Sequence, residues 1–372
     1  MKAAEARTAL ISRWLLRKRH RPGGNPRWTL GIYKADRLGD FVLALGAIRR
    51  LVAAAGAQRS VLVITGSAAE LAAREFPETD LVIVDPCRSG AGAAAVEMWR
   101  RRGEDLFGRG VRDLVCLRHH RNPAESVTCG GIPAATSWGV ANSELLGAAA
   151  RLATMRFDRL VEPIPAALGE CLELARHRAV VGAFLGRSVE PAEIAPVVAP
   201  GWEGGGSAVA VSPFGTDSIR DAPRALLAAA GRHLRRSHGL RLELLCPPGQ
   251  ERRFRELASW LAGQGVEGVG IVVCDTTDDL REALRRSRLV LSVETGTAHL
   301  ATALDAPLVA FLGGGHIGWF APWTRSERQQ WLTNPVACRG CGWQCSQPTP
   351  ICLTGIPEGR ARDAIDAALS AA

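Results

Sequence analysis

Apolar runs of five to seven residues recur along the chain, each followed by a polar or glycine turn and then by a stretch with helical spacing. In the first half, such runs at 28–34, 61–65, 81–85, 113–117 and 136–140 predict strands, and helical patterns cover 41–55, 68–76 and 93–102. A stretch of linker composition follows, Ala199-Pro200-Gly201-Trp202-Glu203-Gly204-Gly205-Gly206-Ser207. The alternation then resumes, with strands expected at 208–212, 241–246, 269–274 and 289–293 and helices at 223–237, 251–262 and 278–286. Strands and helices in strict alternation give parallel sheets covered by helices on both faces. The expected fold is therefore α/β, with two doubly wound Rossmann-like domains at 1–198 and 199–356, facing a cleft at the carboxyl ends of their strands. The Arg-rich helical segment 144–187 falls in the first domain, and an Ala-rich helix at 357–371 is expected to pack back across the boundary.

The densest stretch is 290–322, VLSVETGTAHLATALDAPLVAFLGGGHIGWFAP. A strand runs into Glu294-Thr295-Gly296-Thr297, a helical pattern covers 298–304, and a second strand at 307–312 ends in Gly313-Gly314-Gly315-His316. The helix start offers unpaired N–H groups and a partial positive charge, which suit a phosphate or diphosphate. Gly296 removes a side chain that would block approach to the backbone, and Thr295 and Thr297 add hydroxyls, although Thr and Gly also serve simply as helix caps. Asp40 lies at another strand-to-helix turn, in Arg37-Leu38-Gly39-Asp40. There it can act as an N-cap, or as a carboxylate kept ionised by the helix start, as a general base must be. Arg118-His119-His120-Arg121-Asn122 forms a basic rim after a strand, suited either to an anionic acceptor or to solvent.

Three of these segments resemble glycosyltransferase family 9, the inverting heptosyltransferases. They are Arg37-Leu38-Gly39-Asp40 with its apolar helix, the loop Val211-Ser212-Pro213-Phe214-Gly215-Thr216-Asp217-Ser218-Ile219-Arg220 closing on Pro223, and Ser292-Val293-Glu294-Thr295-Gly296-Thr297-Ala298-His299-Leu300. The resemblance implies the GT-B arrangement of two domains. It makes Asp40 the catalytic base and Thr216 and Arg220 the donor-diphosphate contacts. Glu294, Thr295, Gly296, Thr297, His299 and Gly313 would line the donor site, Glu294 accepting sugar hydroxyls, although His299 can equally be a core residue. The family usually has Asp in place of Glu294, Gly-Pro-Thr in place of Gly313-Gly314-Gly315, and often Trp in place of Ala222. The chain has no Asp-x-Asp motif, consistent with chemistry that needs no metal or other cofactor.

Ten cysteines divide into two groups. Cys87, Cys116, Cys129, Cys171, Cys246 and Cys274 are scattered, mostly in apolar runs, as reduced buried cysteines often are. Cys338, Cys341, Cys345 and Cys352 cluster within 15 residues and open on a C-x-x-C, a spacing that allows a structural zinc or iron site, two disulfides or free thiols. A Cys-rich C-terminal segment with Gly342-Trp343 between the cysteines also resembles a subset of the same family.

The net charge is +9 in 372 residues, with 46 Lys and Arg against 37 Asp and Glu. Residues 1–21 alone hold seven basic residues against Glu5, so the rest is only mildly basic. That tail is too short and too interrupted for a signal peptide or membrane span; it reads as a solvated segment or as a peripheral contact with an anionic membrane face. With scattered thiols, this predicts a cytoplasmic protein, either free or peripheral to the inner membrane. Aromatics do not interleave with the basic residues outside the tail, so nucleic acid is not an expected partner. The expected partners are a nucleotide-sugar donor and a glycolipid or small-molecule acceptor. The resemblance points to heptose transfer from ADP-heptose onto a lipopolysaccharide core. Alternatives are another nucleotide sugar with a natural-product acceptor, a nucleotide-sugar hydrolase or epimerase, and a zinc-containing nucleic-acid-binding protein.

Overall fold

The computed structural model describes residues 22, 24–84, 108, 110–119, 128–141 and 157–372. The basic tail through Arg21, Cys87, the expected helix 93–102, residues 120–122 of the basic rim and residues 144–156 lie outside the described residues, while the helix Leu172–Leu185 bears out the helical reading of the rest of 144–187 in part. The chain divides into two compact units, Met1–Ala166 with Glu173–Ala195, and Ala167–Leu172 with Pro196–Ala372.

The first unit carries strands β1 (Trp28–Lys34), β2 (Ser60–Ile64), β3 (Asp80–Ile83), β4 (Val111–Cys116), β5 (Ala134–Val140) and β6 (Arg159–Val161), in spatial order β3-β2-β1-β4-β5-β6. All pairings are parallel. β1 and β2 are almost wholly buried, which is why they appear in sequence as unbroken apolar runs. The helix Leu38–Ala55 packs over β1 with Phe41, Leu45, Ile48 and Leu51 fully buried. Its Gly46 lies so close to the turn Pro191–Ile194 that an added Cβ would fall 2.0 Å from the Ile194 carbonyl oxygen. Glycine alone allows that approach.

The second unit carries β7 (Ala208–Ser212), β8 (Arg241–Cys246), β9 (Gly270–Val273), β10 (Leu289–Val293), β11 (Leu308–Phe311) and β12 (Gln329–Leu332), again all parallel, in the order β12-β11-β10-β7-β8-β9. Each sheet grows outward from its first strand and then restarts on that strand's other side. The order therefore reverses between β1 and β4 in one unit and between β7 and β10 in the other. In open α/β sheets these reversal points are where ligands bind, at the carboxyl ends of the strands.

Several expectations need correction. β6 and β12 had no apolar run of their own to announce them. The unit boundary falls after Ala195, and the short segment Ala167–Leu172 belongs to the second unit, where the Leu172 amide donates to the Gly318 carbonyl at 2.9 Å. The terminal helix Glu358–Ser370, expected to pack across the boundary, lies against the helix Arg224–His238 and against β11 and β12. Its Ala361, Ala364, Ile365 and Ala368 supply the apolar stripe, and Asp366 receives both His233 Nε2 and His238 Nε2 at 2.7 Å. Among the described residues no helix is long and apolar enough to cross a membrane.

Candidate functional site

The reversal point of the first sheet holds a cluster of charged groups. Lys34, the last residue of β1, is fully buried, and its Nζ donates to Glu173 Oε1 at 2.9 Å and to the Leu117 carbonyl at 3.2 Å, with Asp36 Oδ2 at 3.3 Å. Burial works against the ammonium, but Glu173, Asp36 and Asp40 outweigh it and raise the Lys34 pKa above its ordinary value. Arg118, at the end of β4, forms an ion pair with Asp36 and donates to the Ala35 carbonyl at 2.9 Å. The basic rim is thus tied to the Asp36 carboxylate, and its His119 is buried with its ring 4.9 Å from that of His177. Burial and then Lys34 pull His177 down to about 4, so it is a neutral imidazole.

Asp40 sits in the first turn of the helix Leu38–Ala55, whose N-cap is Arg37; the N-cap reading of Asp40 is therefore overturned. Its expected state also needs revision. Burial first, and then the neighbouring Asp36 carboxylate, raise the Asp40 carboxyl well above the usual range, and the nearby Lys34 and Arg118 only partly offset this. Asp36 goes the other way. Burial alone would raise it, but Arg118, Lys34 and a hydrogen bond from Asp40 hold it below its ordinary value. The two carboxyls form an unequal pair in which Asp36 ionises first and Asp40 holds its proton to higher pH before it becomes a carboxylate. A carboxyl raised towards neutrality can take up and give back a proton near its working pH more readily than an ordinary aspartate. The sequence reading missed Asp36, Lys34 and Glu173, which carry no recognisable spacing.

The reversal point of the second sheet holds the other cluster. Arg220 lies in the loop after β7 and Glu294 directly after β10. Arg220 Nη2 donates to the Glu294 carbonyl at 2.7 Å and to its Oε2 at 2.5 Å. The remaining Glu294 oxygen, Oε1, faces His299 Nε2 at 3.5 Å. Burial would raise the Glu294 carboxyl, but His299 and Arg220 outweigh it and hold it below the ordinary value. Both Glu294 oxygens are therefore engaged by the protein's own side chains, and the residue anchors Arg220. Arg220 Nε is buried with no hydrogen-bond partner among the described residues, an arrangement that an anionic acceptor would complete.

His299 is buried; its Nδ1 accepts from Trp323 Nε1 at 2.9 Å, and its Nε2 is turned to Glu294. Thr295 is the N-cap of the helix Gly296–Ala303 but makes no side-chain cap bond; its hydroxyl is turned back to the Val293 carbonyl at 3.3 Å. Gly296 and Thr297 are half-buried in the first turn, where backbone N–H groups have no partner within the helix. Thr216 is exposed in the β7 loop, which Asp221 shapes by accepting from the Gly215 amide at 3.0 Å.

The glycine turn after β11 meets the cysteine-rich segment. The structure has Cys338, Cys341, Cys345 and Cys352 as free thiols lining one small cavity with Gly314, Gly315 and Trp343. Among the described residues, the groups with three ligand atoms all within 4.8 Å of one another are His119, Glu173, His177 and His233, His238, Asp366, so the sulfurs are spaced more widely than that. In the first of these groups the Lys34 ammonium already occupies the cation position at Glu173.

Residues 232–345 match the family model of glycosyltransferase family 9 (heptosyltransferase). No curated protein matches the sequence. Among solved structures, the chain resembles a family 9 glycosyltransferase from Veillonella parvula with a TM-score of 0.69 at 13% identity, covering 94% of this chain and 100% of that one. It resembles the E. coli heptosyltransferase WaaC with ADP with a TM-score of 0.60 at 18% identity, covering 88% and 98% respectively. It also resembles the iron-containing dodecameric glycosyltransferase TibC of enterotoxigenic E. coli with a TM-score of 0.50 at 12% identity, covering 94% and 76%. At these identities the structural likeness establishes the fold, α/β with two parallel sheets, as in the GT-B heptosyltransferases. The family 9 match over 232–345 and that fold around it agree with the resemblance read from the sequence.

Proposed function

We propose that the chain transfers a sugar, with inversion, from a nucleotide-diphosphate sugar to an acceptor hydroxyl. The observation that carries this reading is the Arg220–Glu294 pair at the β7/β10 reversal point, with an unsatisfied guanidinium N–H beside the helix start at Gly296. Such a site suits a diphosphate that departs with growing negative charge. Arg220 and the N–H groups around Thr295, Gly296 and Thr297 stabilise the leaving group, and Thr216 and Gly313 border it. His299 and Glu294 hold Arg220 in place. Asp40 removes the acceptor proton as its oxygen attacks the anomeric carbon; the bond to the nucleotide diphosphate breaks as the new glycosidic bond forms, and the proton passes to Asp40. ADP-heptose as donor and a glycolipid such as a lipopolysaccharide core as acceptor are the choices the family likeness supports, and both fit a protein at or near the cytoplasmic membrane face. Product analysis tests this: consumption of ADP-heptose should yield ADP and a glycosylated acceptor of inverted anomeric configuration by NMR. Free heptose released without an acceptor would make the protein a hydrolase instead.

The four cysteines line one cavity and form a soft donor set whose sulfurs would have to draw together to close on a zinc or iron ion; such a site would be structural because four thiolates leave no open coordination position. When bound, the ion would cross-link the segment that carries Trp343. Elemental analysis of protein purified without chelators should find one metal equivalent per chain, lost in Cys338→Ser. Equal metal content in the two proteins would contradict the assignment.

A further inference from the structure

The triple glycine after β11 is where the chain departs from the usual family pattern, and the structure supplies a reason. A Cβ at Gly313 would lie 2.1 Å from Trp343 Cη2, and one at Gly315 would lie 2.5 Å from Trp343 Cδ2 and Cε2. These contacts are far inside van der Waals distance, so the two glycines form a socket that only this indole fills. The cysteine-rich segment is also latched to the same turn by its backbone: the Gly340 amide donates to the Gly314 carbonyl at 2.9 Å and the Gly342 amide to the Gly315 carbonyl at 3.1 Å. Trp343 itself has φ of 64°, a left-handed conformation that bulky residues rarely adopt and that persists only where the surroundings enforce it.

The seated indole touches two polar groups at the β7/β10/β11 edge. Its Nε1 donates to His316 Nδ1 at 3.2 Å, and the Arg220 guanidinium carbon lies 5.2 Å from its ring centroid. We infer that Trp343 is a positioning residue of the donor site: the cysteine-rich segment carries its indole into the glycine turn, where it supports the Arg220 guanidinium and fixes His316 as an Nε2–H donor. The inference rests on the donor-site reading above.

The tautomer follows from the hydrogen bond. A ring nitrogen that accepts from an indole N–H cannot carry a proton, so in the neutral imidazole the proton sits on Nε2. Burial first, and then Arg220, lower the His316 pKa and so favour the neutral ring, with Glu294 acting in the opposite direction. His316 also stacks on Trp319 at 5.2 Å between centroids, which holds the ring plane. The His299 imidazole is set in the same way, since Trp323 Nε1 donates to its Nδ1. The cysteine-rich segment is therefore an arm reaching the donor site.

The experiment is calorimetric titration of ADP-heptose into wild type, Arg220→Ala, Trp343→Ala and Trp343→Phe between about pH 5 and 8, the range in which an unshifted histidine titrates, with thermal melts alongside. Loss of binding in Arg220→Ala establishes the site. Trp343→Ala should then weaken binding roughly tenfold. Trp343→Phe keeps an aromatic face for Arg220 but frees His316 Nδ1, so its affinity should rise as pH falls, whereas wild type stays flat. The charged groups His316 then feels are Glu294 and Arg220. A purely structural tryptophan would lower the melting temperature and leave the affinity and its pH dependence unchanged in folded protein, overturning the inference. Should Trp343→Ala fail to fold, the pH profile of Trp343→Phe decides. Unchanged binding in Arg220→Ala would instead sink the donor-site reading.

Discussion

Replacing Asp40 by Asn is expected to lower the transfer rate by a factor of about 100 to 10,000, the range of a lost general base, with melting temperature and donor affinity little changed. The amide keeps the size of the side chain and can still hydrogen-bond Asp36, but cannot take the acceptor's proton. The pH profile is the more searching part of this expectation. Because burial and the Asp36 charge raise the Asp40 carboxyl, it is protonated at low pH and becomes a base only as pH rises through its elevated pKa. The ascending limb of kcat/KM should therefore lie above the ordinary carboxylate range. Asp36→Asn removes the largest repulsive charge and leaves Lys34 and Arg118 in place, so the limb should move to lower pH. A limb that stays put or moves up would show that another group is being titrated. Retention of most of the rate in Asp40→Asn would remove Asp40 from the mechanism.

Arg220→Ala is expected to lower kcat/KM for the nucleotide sugar by a factor of about 100 to 1,000, the loss typical of one preorganised donor to a developing negative charge. The side chain is only 14% exposed, and its partners are arranged to aim it: the Glu294 carbonyl and Oε2 both accept from Nη2, and the guanidinium carbon lies over the Trp343 ring. Removing it also leaves the Glu294 carboxylate buried without its strongest counter-charge. Arg220→Lys should recover only part of the loss, because a point ammonium cannot bond Glu294 and a phosphate with the geometry of a planar fork. The effect should fall on donor binding and on chemistry together, and steady-state kinetics at saturating acceptor separates the two.

The strand ends that carry the two clusters were legible in the sequence because parallel strands buried on both faces leave unbroken apolar runs, each followed by a polar turn and a helix start, whereas the strand order that makes them reversal points was not. That pattern alone put Asp40 and the Glu294–Thr297 segment at strand ends. Pairings made by distant residues could not be read in this way. Lys34 and Glu173 are 139 positions apart, and Lys34 and Leu117 are 83 apart, so nothing local announces that a fully buried ammonium braces the Asp36–Asp40 pair. Asp40 was legible as a candidate base but not its protonation, since the decisive neighbour, Asp36, looks in sequence like one more polar residue of the turn. Glu294 was legible as a site residue, yet its oxygens turn to Arg220 and His299. Trp343 had a signal that could have been used: three consecutive glycines where the family carries larger residues imply that something large occupies their space. β6 and β12 were missed because strands of three and four residues at sheet edges need no long apolar run.

The central claim is that the second unit holds a nucleotide-diphosphate sugar at Arg220 and the helix start at Gly296. Calorimetric titration of the full chain with ADP-heptose and with a panel of other ADP-, GDP-, UDP- and dTDP-sugars tests it most directly, with Arg220→Ala alongside. The account predicts saturable binding of one nucleotide sugar in preference to the others, weakened by about two orders of magnitude in the variant. Absence of binding by every member of the panel, or equal binding by wild type and Arg220→Ala, would contradict it.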